Sequence, residues 1–166
     1  MPLSTKFDVN EIFIIILAII LSLIVVKLFP KRFTYTTSIV LYLFNISTGI
    51  AVDHILAGPP LDLYDVFDMK KFELFDLILY LFVYGPVTYI IIFIYDKWFI
   101  HKSNLKKFIF LIFISLLNMG MEFIAAKLNV YTYSGWHLYY SFPVYFMTYF
   151  ISIFFLHLLK NRETRG

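Results

Sequence analysis

The sequence predicts an all-helical polytopic membrane protein: one bundle of five transmembrane helices, N-terminus outside and C-terminus cytoplasmic. Three observations carry that prediction. Hydrophobic residues make up 61% of the 166 positions and charged ones only 15%, for a mean hydropathy of +0.81. Five separate stretches are long and apolar enough to cross a bilayer core of about 30 Å, which takes roughly 20 helical residues. The basic residues gather on alternate connections between those stretches. Soluble domains run nearer about 45–50% apolar, and a chain of this size has too little interior to hide the excess of Phe, Ile, Leu and Tyr.

The first span is expected over Ile12–Phe29, whose one charge, Lys27, lies at the end where it can snorkel. It is too long for the apolar part of a cleavable signal, and Lys27, Pro30, Lys31 and Arg32 stand where small residues would be cut. The second runs from Tyr35 to Ala57 and is stopped by Gly58-Pro59-Pro60. The third covers Glu73–Tyr95, with Gly85-Pro86 in its middle predicting a kink. The fourth covers Lys106–Lys127. A run free of charged residues follows from Leu128 to Leu159, but Asn129–Ser141 holds four tyrosines, Gly135 and Trp136. That segment reads as an interfacial loop feeding the fifth span, Phe142–Leu159. Residues 1–166 thus form a single transmembrane domain.

Five spans put the N-terminus and the second and fourth connections on one side. Lys6, Lys70, Lys71 and Lys127 fall there, whereas Lys27, Lys31, Arg32, Lys97, Lys102, Lys106, Lys107, Lys160, Arg162 and Arg165 fall opposite. Positive residues in short loops stay cytoplasmic, which orients the bundle. The net charge of +3 is then a topology signal and an attraction to anionic lipid, with no nucleic acid implied. The acids divide the other way: Asp8, Glu11, Asp53, Asp62, Asp65, Asp68, Glu73, Asp76 and Glu122 lie at or near the outer side, Asp96 and Glu163 inside. Insertion rules do not require that bias, so any chemistry is expected at the extracytoplasmic end.

Absences narrow the chemistry. With no cysteine there is no disulfide, thiolate metal site or cysteine nucleophile. No phosphate-binding glycine loop, GxSxG, HExxH or dinucleotide fingerprint occurs, and no repeat of one half in the other suggests an inverted-repeat transporter.

Glu122 is the sharpest candidate, because a charged group well inside a span costs roughly 2.5–3.5 kcal/mol on insertion scales. Ser115, Asn118, Glu122, Ala125 and Asn129 recur at intervals of three and four, a stripe of small and polar groups on one face. One reading is a buried carboxylate acting as acid, base or ion ligand. The other is a packing stripe whose Glu hydrogen-bonds across the bundle. Asn45, Gly49, Asp53 and Ala57 form a similar stripe on the second span, and Asp76, Tyr80, Tyr84 and Thr88 one on the third. Together they predict a polar cavity opening outward, with Asp53 as electrostatic partner of Glu122 and Asn118, Asn45 and Asp76 lining it. His54 points about 100° away from Asp53 and reads as a wetted interfacial anchor.

In the second connection Asp62, Asp65 and Asp68 alternate with apolar residues. Such carboxylates could hold a divalent cation, Mg²⁺ or Ca²⁺, against a lipid phosphate. They equally describe a short amphipathic helix lying on the surface, its acids spread over about 120°. In the fourth connection Tyr131, Tyr133, Trp136, His137, Tyr139 and Tyr140 read either as an aromatic belt at headgroup depth or as a lid that stacks on an isoprenoid or acyl chain.

Two passages carry a resemblance. Val52-Asp53-His54-Ile55 leads to Pro59-Pro60-Leu61-Asp62-Leu63-Tyr64-Asp65, and Met121-Glu122-Phe123 leads to Gly135-Trp136-His137 and Ser141. In this the chain resembles a family of small five-helix integral membrane proteins of endospore-forming bacteria. There a D-H segment precedes a Pro-rich D-x-Y-D loop, and an F-E or M-E segment precedes a Y-x-x-W loop. The family has no established activity, so the resemblance implies a bacterial cell membrane and no catalytic residues. A looser likeness to integral-membrane terpene and lycopene cyclases rests on size and an intramembrane acid alone, without a shared motif.

The leading expectation is a lipid- or isoprenoid-binding membrane protein with Glu122 as buried acid or base and Asp62 and Asp65 positioning a headgroup or metal. The alternatives are a small ion or proton pathway using the same acids, and a structural subunit whose polar stripes bind a second copy or a partner membrane protein.

Overall fold

The structure, a computed structural model, describes residues 7–29, 31–67 and 72–163. Asp68, Lys70 and Lys71 therefore lie outside the described residues, as do Lys6 and Arg165.

The first two helices start where a side chain satisfies free backbone amides. Helix α1 (Val9–Leu28) is capped by Asp8, whose side chain accepts from the Asn10 amide at 3.2 Å while its own amide donates to Glu11 Oε2 at 2.8 Å. Helix α2 (Tyr35–Leu56) is capped by Thr34, which accepts from the Thr37 amide. The third span is broken: α3 (Leu74–Leu79), a π-helical turn (Tyr80–Tyr84) and α4 (Gly85–Trp98). Helix α5 (Asn104–Lys127) is followed by α6 (Ser141–Glu163), which a 3₁₀ turn at Leu138–Tyr140 leads into. The five candidate spans agree with the predicted ones to within a few residues, and each is long and apolar enough to cross a membrane. Phe113, 62% exposed, and Phe108, Phe150 and Phe154 face outward, as expected where the surrounding solvent is hydrocarbon.

The break in the third span takes the place of the expected simple proline kink. Pro86 has no amide to donate, and the Gly85 amide reaches back to the Tyr80 carbonyl, one residue further than in an α-helix. Within that turn the Leu81 carbonyl accepts from the Tyr42 hydroxyl of α2 at 2.5 Å. Gly85 permits this approach, because a Cβ there would stand 2.9 Å from Ile46 Cγ1.

The two connections at the N-terminal end correct the helical reading at Asp62 and Asp65, the described acids of that segment, and add a strand to the expected loop over Asn129–Ser141. Strand β1 (Tyr64–Val66) pairs antiparallel with β2 (Tyr131–Tyr133), Tyr64 opposite Tyr133 and Val66 opposite Tyr131. The ribbon is fastened by the Leu63 carbonyl, which accepts from the amides of Ser134, Gly135 and Trp136 at 2.9–3.0 Å. Asn129 sits at φ 59°, in the left-handed region that closes a helix. It ends α5 and is no longer part of the polar stripe, and its carbonyl accepts from the Asn10 side chain of α1.

Helix α5 packs chiefly on α6, α2 on α4, and α1 on the third span. Two buried clusters result. One, around Tyr89, Ile92 and Leu156, fills the half of the bundle toward the basic end, and the other, around Ile14, Leu79 and Val130, lies beneath the ribbon. At the basic end the fully buried Asp96 accepts from Arg32 Nε, with Lys160 Nζ 2.5 Å from its other oxygen.

Candidate functional site

Beneath the ribbon the helices part around a cavity of about 400 Å³, lined mostly by aliphatic side chains of α1, α4 and α5. Its polar lining comes from residues spaced three or four apart. Helix α2 supplies Asn45, Gly49 and Asp53, α5 supplies Asn118 and Glu122, and α6 supplies Ser141, Tyr145, Thr148 and Tyr149. The ribbon adds Tyr64, Tyr131, Tyr133 and Trp136.

Glu122 is held by three hydroxyls. Tyr133 and Ser141 donate to Oε1 at 2.6 and 2.7 Å, and Tyr145 donates to Oε2 at 2.7 Å. Ser141 accepts in turn from the Trp136 indole at 2.9 Å. A carboxylate removed from water needs such donors, and here they come from two elements, β2 and α6, so the acid ties α5 to the ribbon and to α6.

Asp53 is 7% exposed and accepts from the Tyr64 hydroxyl at 2.5 Å through Oδ1. Its Oδ2 has no hydrogen-bond partner. Two turns deeper on the same helix, Asn45 is 3% exposed and neither atom of its amide is paired. Tyr84 and Tyr131 share a hydrogen bond of 2.7 Å nearby. Gly49 makes room for the Tyr84 ring, since a Cβ there would stand 2.8 Å from Cδ2. Asp53 and Glu122 line the same cavity.

The phenols of the ribbon are pushed above the usual tyrosine range. Loss of water is the first cause for Tyr64, Tyr131 and Tyr133 alike. The Asp53 charge adds to it at Tyr64 and Tyr131, and the hydrogen bond to Glu122 at Tyr133. These hydroxyls therefore stay protonated, as donors to acids require.

Of the residues expected at the site, Glu122, Asp53, Asn118, Asn45, Tyr131, Tyr133 and Trp136 all line the cavity. Asn118 also bonds back to the Ile114 carbonyl at 2.9 Å. Asp76 does not line it, because its side chain takes the Glu73 amide at 2.7 Å and closes the capping box of α3. His137 is exposed and stacks on Tyr139, ring centroids 5.4 Å apart. Asp65 lies on the opposite face of the ribbon from Tyr64 and Val66, as strand alternation dictates. Asp62 is exposed in the preceding turn, at φ 44°. Among the described residues no three His, Asp or Glu side chains gather where a metal could be held.

The expectations omitted Tyr64, Ser141 and Tyr145. A signal for the last two was present, since Ser141, Tyr145, Thr148 and Ser152 recur at helical spacing along the fifth span. Helical spacing gives none for Tyr64, because its role depends on a strand pairing across the chain, Tyr64 to Tyr133.

The fold and site define a class: a multi-pass helical bundle, by length and composition of its helices, enclosing a largely apolar cavity with two acids. No family model matches the chain, and no curated protein or solved structure matches it significantly.

Proposed function

We propose that this protein binds a membrane amphiphile, a lipid or isoprenoid, inside the bundle, with the polar end held among Asp53, Glu122 and the ribbon tyrosines. One observation carries the reading. Asn45 and the Oδ2 of Asp53 are buried without partners on the wall of a cavity of ligand size, whereas buried polar atoms are ordinarily satisfied. A pocket of about 300–1,000 Å³, mostly apolar with a few convergent polar groups, is the usual form of a small-molecule site. Toward the basic end Leu41, Tyr89, Ile92 and Leu156 are fully buried, and the cavity wall there is aliphatic, with Leu21, Ile90, Ile91, Ile94 and Ile114. An apolar inner half supports a chamber for a lipid tail over an ion pathway, which needs polar groups along its length.

We further propose a bacterial cell membrane as the setting, with the ribbon outside and the basic end cytoplasmic. The positive-inside rule supports this orientation, since Lys31, Arg32, Lys97, Lys102, Lys106, Lys107 and Lys160 all lie at the far end. Because the chain has no cysteine, single cysteines at Asp62 and Lys102 report sidedness cleanly. A membrane-impermeant thiol reagent labels the first in intact cells and spares the second.

The test of binding is mass spectrometry of lipids that survive purification. Wild type carries one defined amphiphile, and Glu122→Gln, which alters its polar cradle, loses or exchanges it. A wild-type protein consistently empty of lipid overturns the proposal.

A further inference from the structure

We propose that the polar end of the occupant is a protonated amine, a refinement that rests on the amphiphile-binding reading above. The argument begins with charge. The cavity wall holds two carboxylates, Asp53 and Glu122, and among the described residues no Lys, Arg or His lines it. A phosphate or sulfate head would face those acids with no cation to balance it, and like charges in a site sheltered from water repel strongly. A cation balances what is there.

Hydrogen-bond inventory points the same way. Glu122 already accepts three hydroxyl protons, but Asp53 accepts one and keeps Oδ2 open in a side chain that is buried and lines the lumen. An ammonium has three donors and no acceptor, so it complements an open carboxylate oxygen. Tyr64, Tyr84 and Tyr131 line the same wall, and their hydroxyl oxygens can accept from an ammonium. Asn45 is the independent mark of an occupant. About 12 Å along α2 from Asp53, its amide is unpaired and buried in the same wall.

The probes are farnesylamine, farnesol and farnesyl phosphate, which share a chain and differ in the head. The protein has two tryptophans, and Trp98 is exposed at the opposite end. In a Trp98→Phe background, emission of Trp136 on the cavity wall reports binding, measured in phosphatidylcholine nanodiscs against empty discs as the partitioning blank. Expected is an order amine, alcohol, phosphate, with the amine at least about tenfold tighter than the alcohol, about 1.4 kcal/mol. In Asp53→Asn the ratio of amine to alcohol affinity falls toward one, whatever the change in alcohol affinity itself.

Equal binding of all three heads overturns the amine assignment and leaves the lipid-binding reading standing. So does tightest binding of the phosphate, or an amine advantage that survives Asp53→Asn. Binding of none of them overturns both readings. Should Asp53→Asn fail to fold, the order of heads in the otherwise wild-type chain decides alone.

Discussion

Tyr64 of the ribbon donates its hydroxyl to Asp53 of α2 at 2.5 Å, so the cover of the cavity is latched to an acid in its wall. The latch joins residues only 11 apart in sequence but on different elements, with the turn at Gly58-Pro59-Pro60 folding the chain back between them.

Tyr64→Phe keeps the ring, its strand pairing and its edge contact with Trp136 and removes one donor. The expected loss is about 1.5–3 kcal/mol, a hydrogen bond to a charged acceptor. Hydrogen exchange should quicken at the amides of Ser134, Gly135 and Trp136, which all bond to the neighbouring Leu63 carbonyl. Unchanged exchange there would mean the latch does not hold the ribbon.

Glu122→Ala leaves the hydroxyls of Tyr133, Ser141 and Tyr145 facing an apolar space. Stability should drop by about 2–4 kcal/mol, since orphaned buried donors cost roughly 1–3 kcal/mol each and some relax toward one another. Glu122→Gln keeps one acceptor oxygen and should lose no more than about half as much. Thermal unfolding of both variants in one detergent gives the comparison.

Trp136 and Ser141 act on Glu122 as a relay. The single variants Trp136→Phe and Ser141→Ala should each cost about 1 kcal/mol beyond packing. The double variant should cost less than their sum by at least about 0.5 kcal/mol, the mark of residues in one network. Additive losses would show the two bonds to be independent.

Asp96→Asn tests the clamp at the basic end. Asp96 is fully buried between Arg32 and Lys160, whose side chains are about one-third exposed. Both cations can turn to water when the charge is lost, so the cost should fall below the about 3–5 kcal/mol of a fully buried broken pair, near 2. The ligand-binding order described for the farnesyl series should not change.

Alkaline titration follows the ribbon phenols. Their folded values lie above the ordinary one, so as pH rises past about 10 the unfolded chain gives up these protons first. Their contribution to stability is complete below that pH and declines above it. Absorbance of tyrosinate should show a fraction that ionises only as the protein unfolds, and Tyr131→Phe should make that fraction smaller.

Much of this was legible in the chain because lipid imposes a simple grammar. The five spans follow from apolar length alone, and the inward stripes of α2 and α5 follow from spacing, which is why Asn45, Asp53, Asn118 and Glu122 meet in one cavity. What spacing cannot give is contact between distant segments. The acids of the second connection read as a surface helix or a cation site until β1 pairs with β2, whereupon alternation sends Tyr64 inward and Asp65 away. Asp76 stood in line with Tyr84 and Thr88 by fours, but that line assumes an unbroken α-helix. The π-helical turn interposes, so Tyr84 and Thr88 face the lumen while Asp76 closes a cap.

That turn makes the cavity depend on chain length as well as residue identity. Deleting one residue within 80–84 would allow a regular helix to form and would swing everything on one side of the break by about 100° relative to the other. Either Tyr84 and Thr88 or the segment packed against α1 would then lose its bearing. The surplus residue is in effect a gear tooth, setting the phase between the half of the span that anchors the bundle and the half that furnishes its chamber.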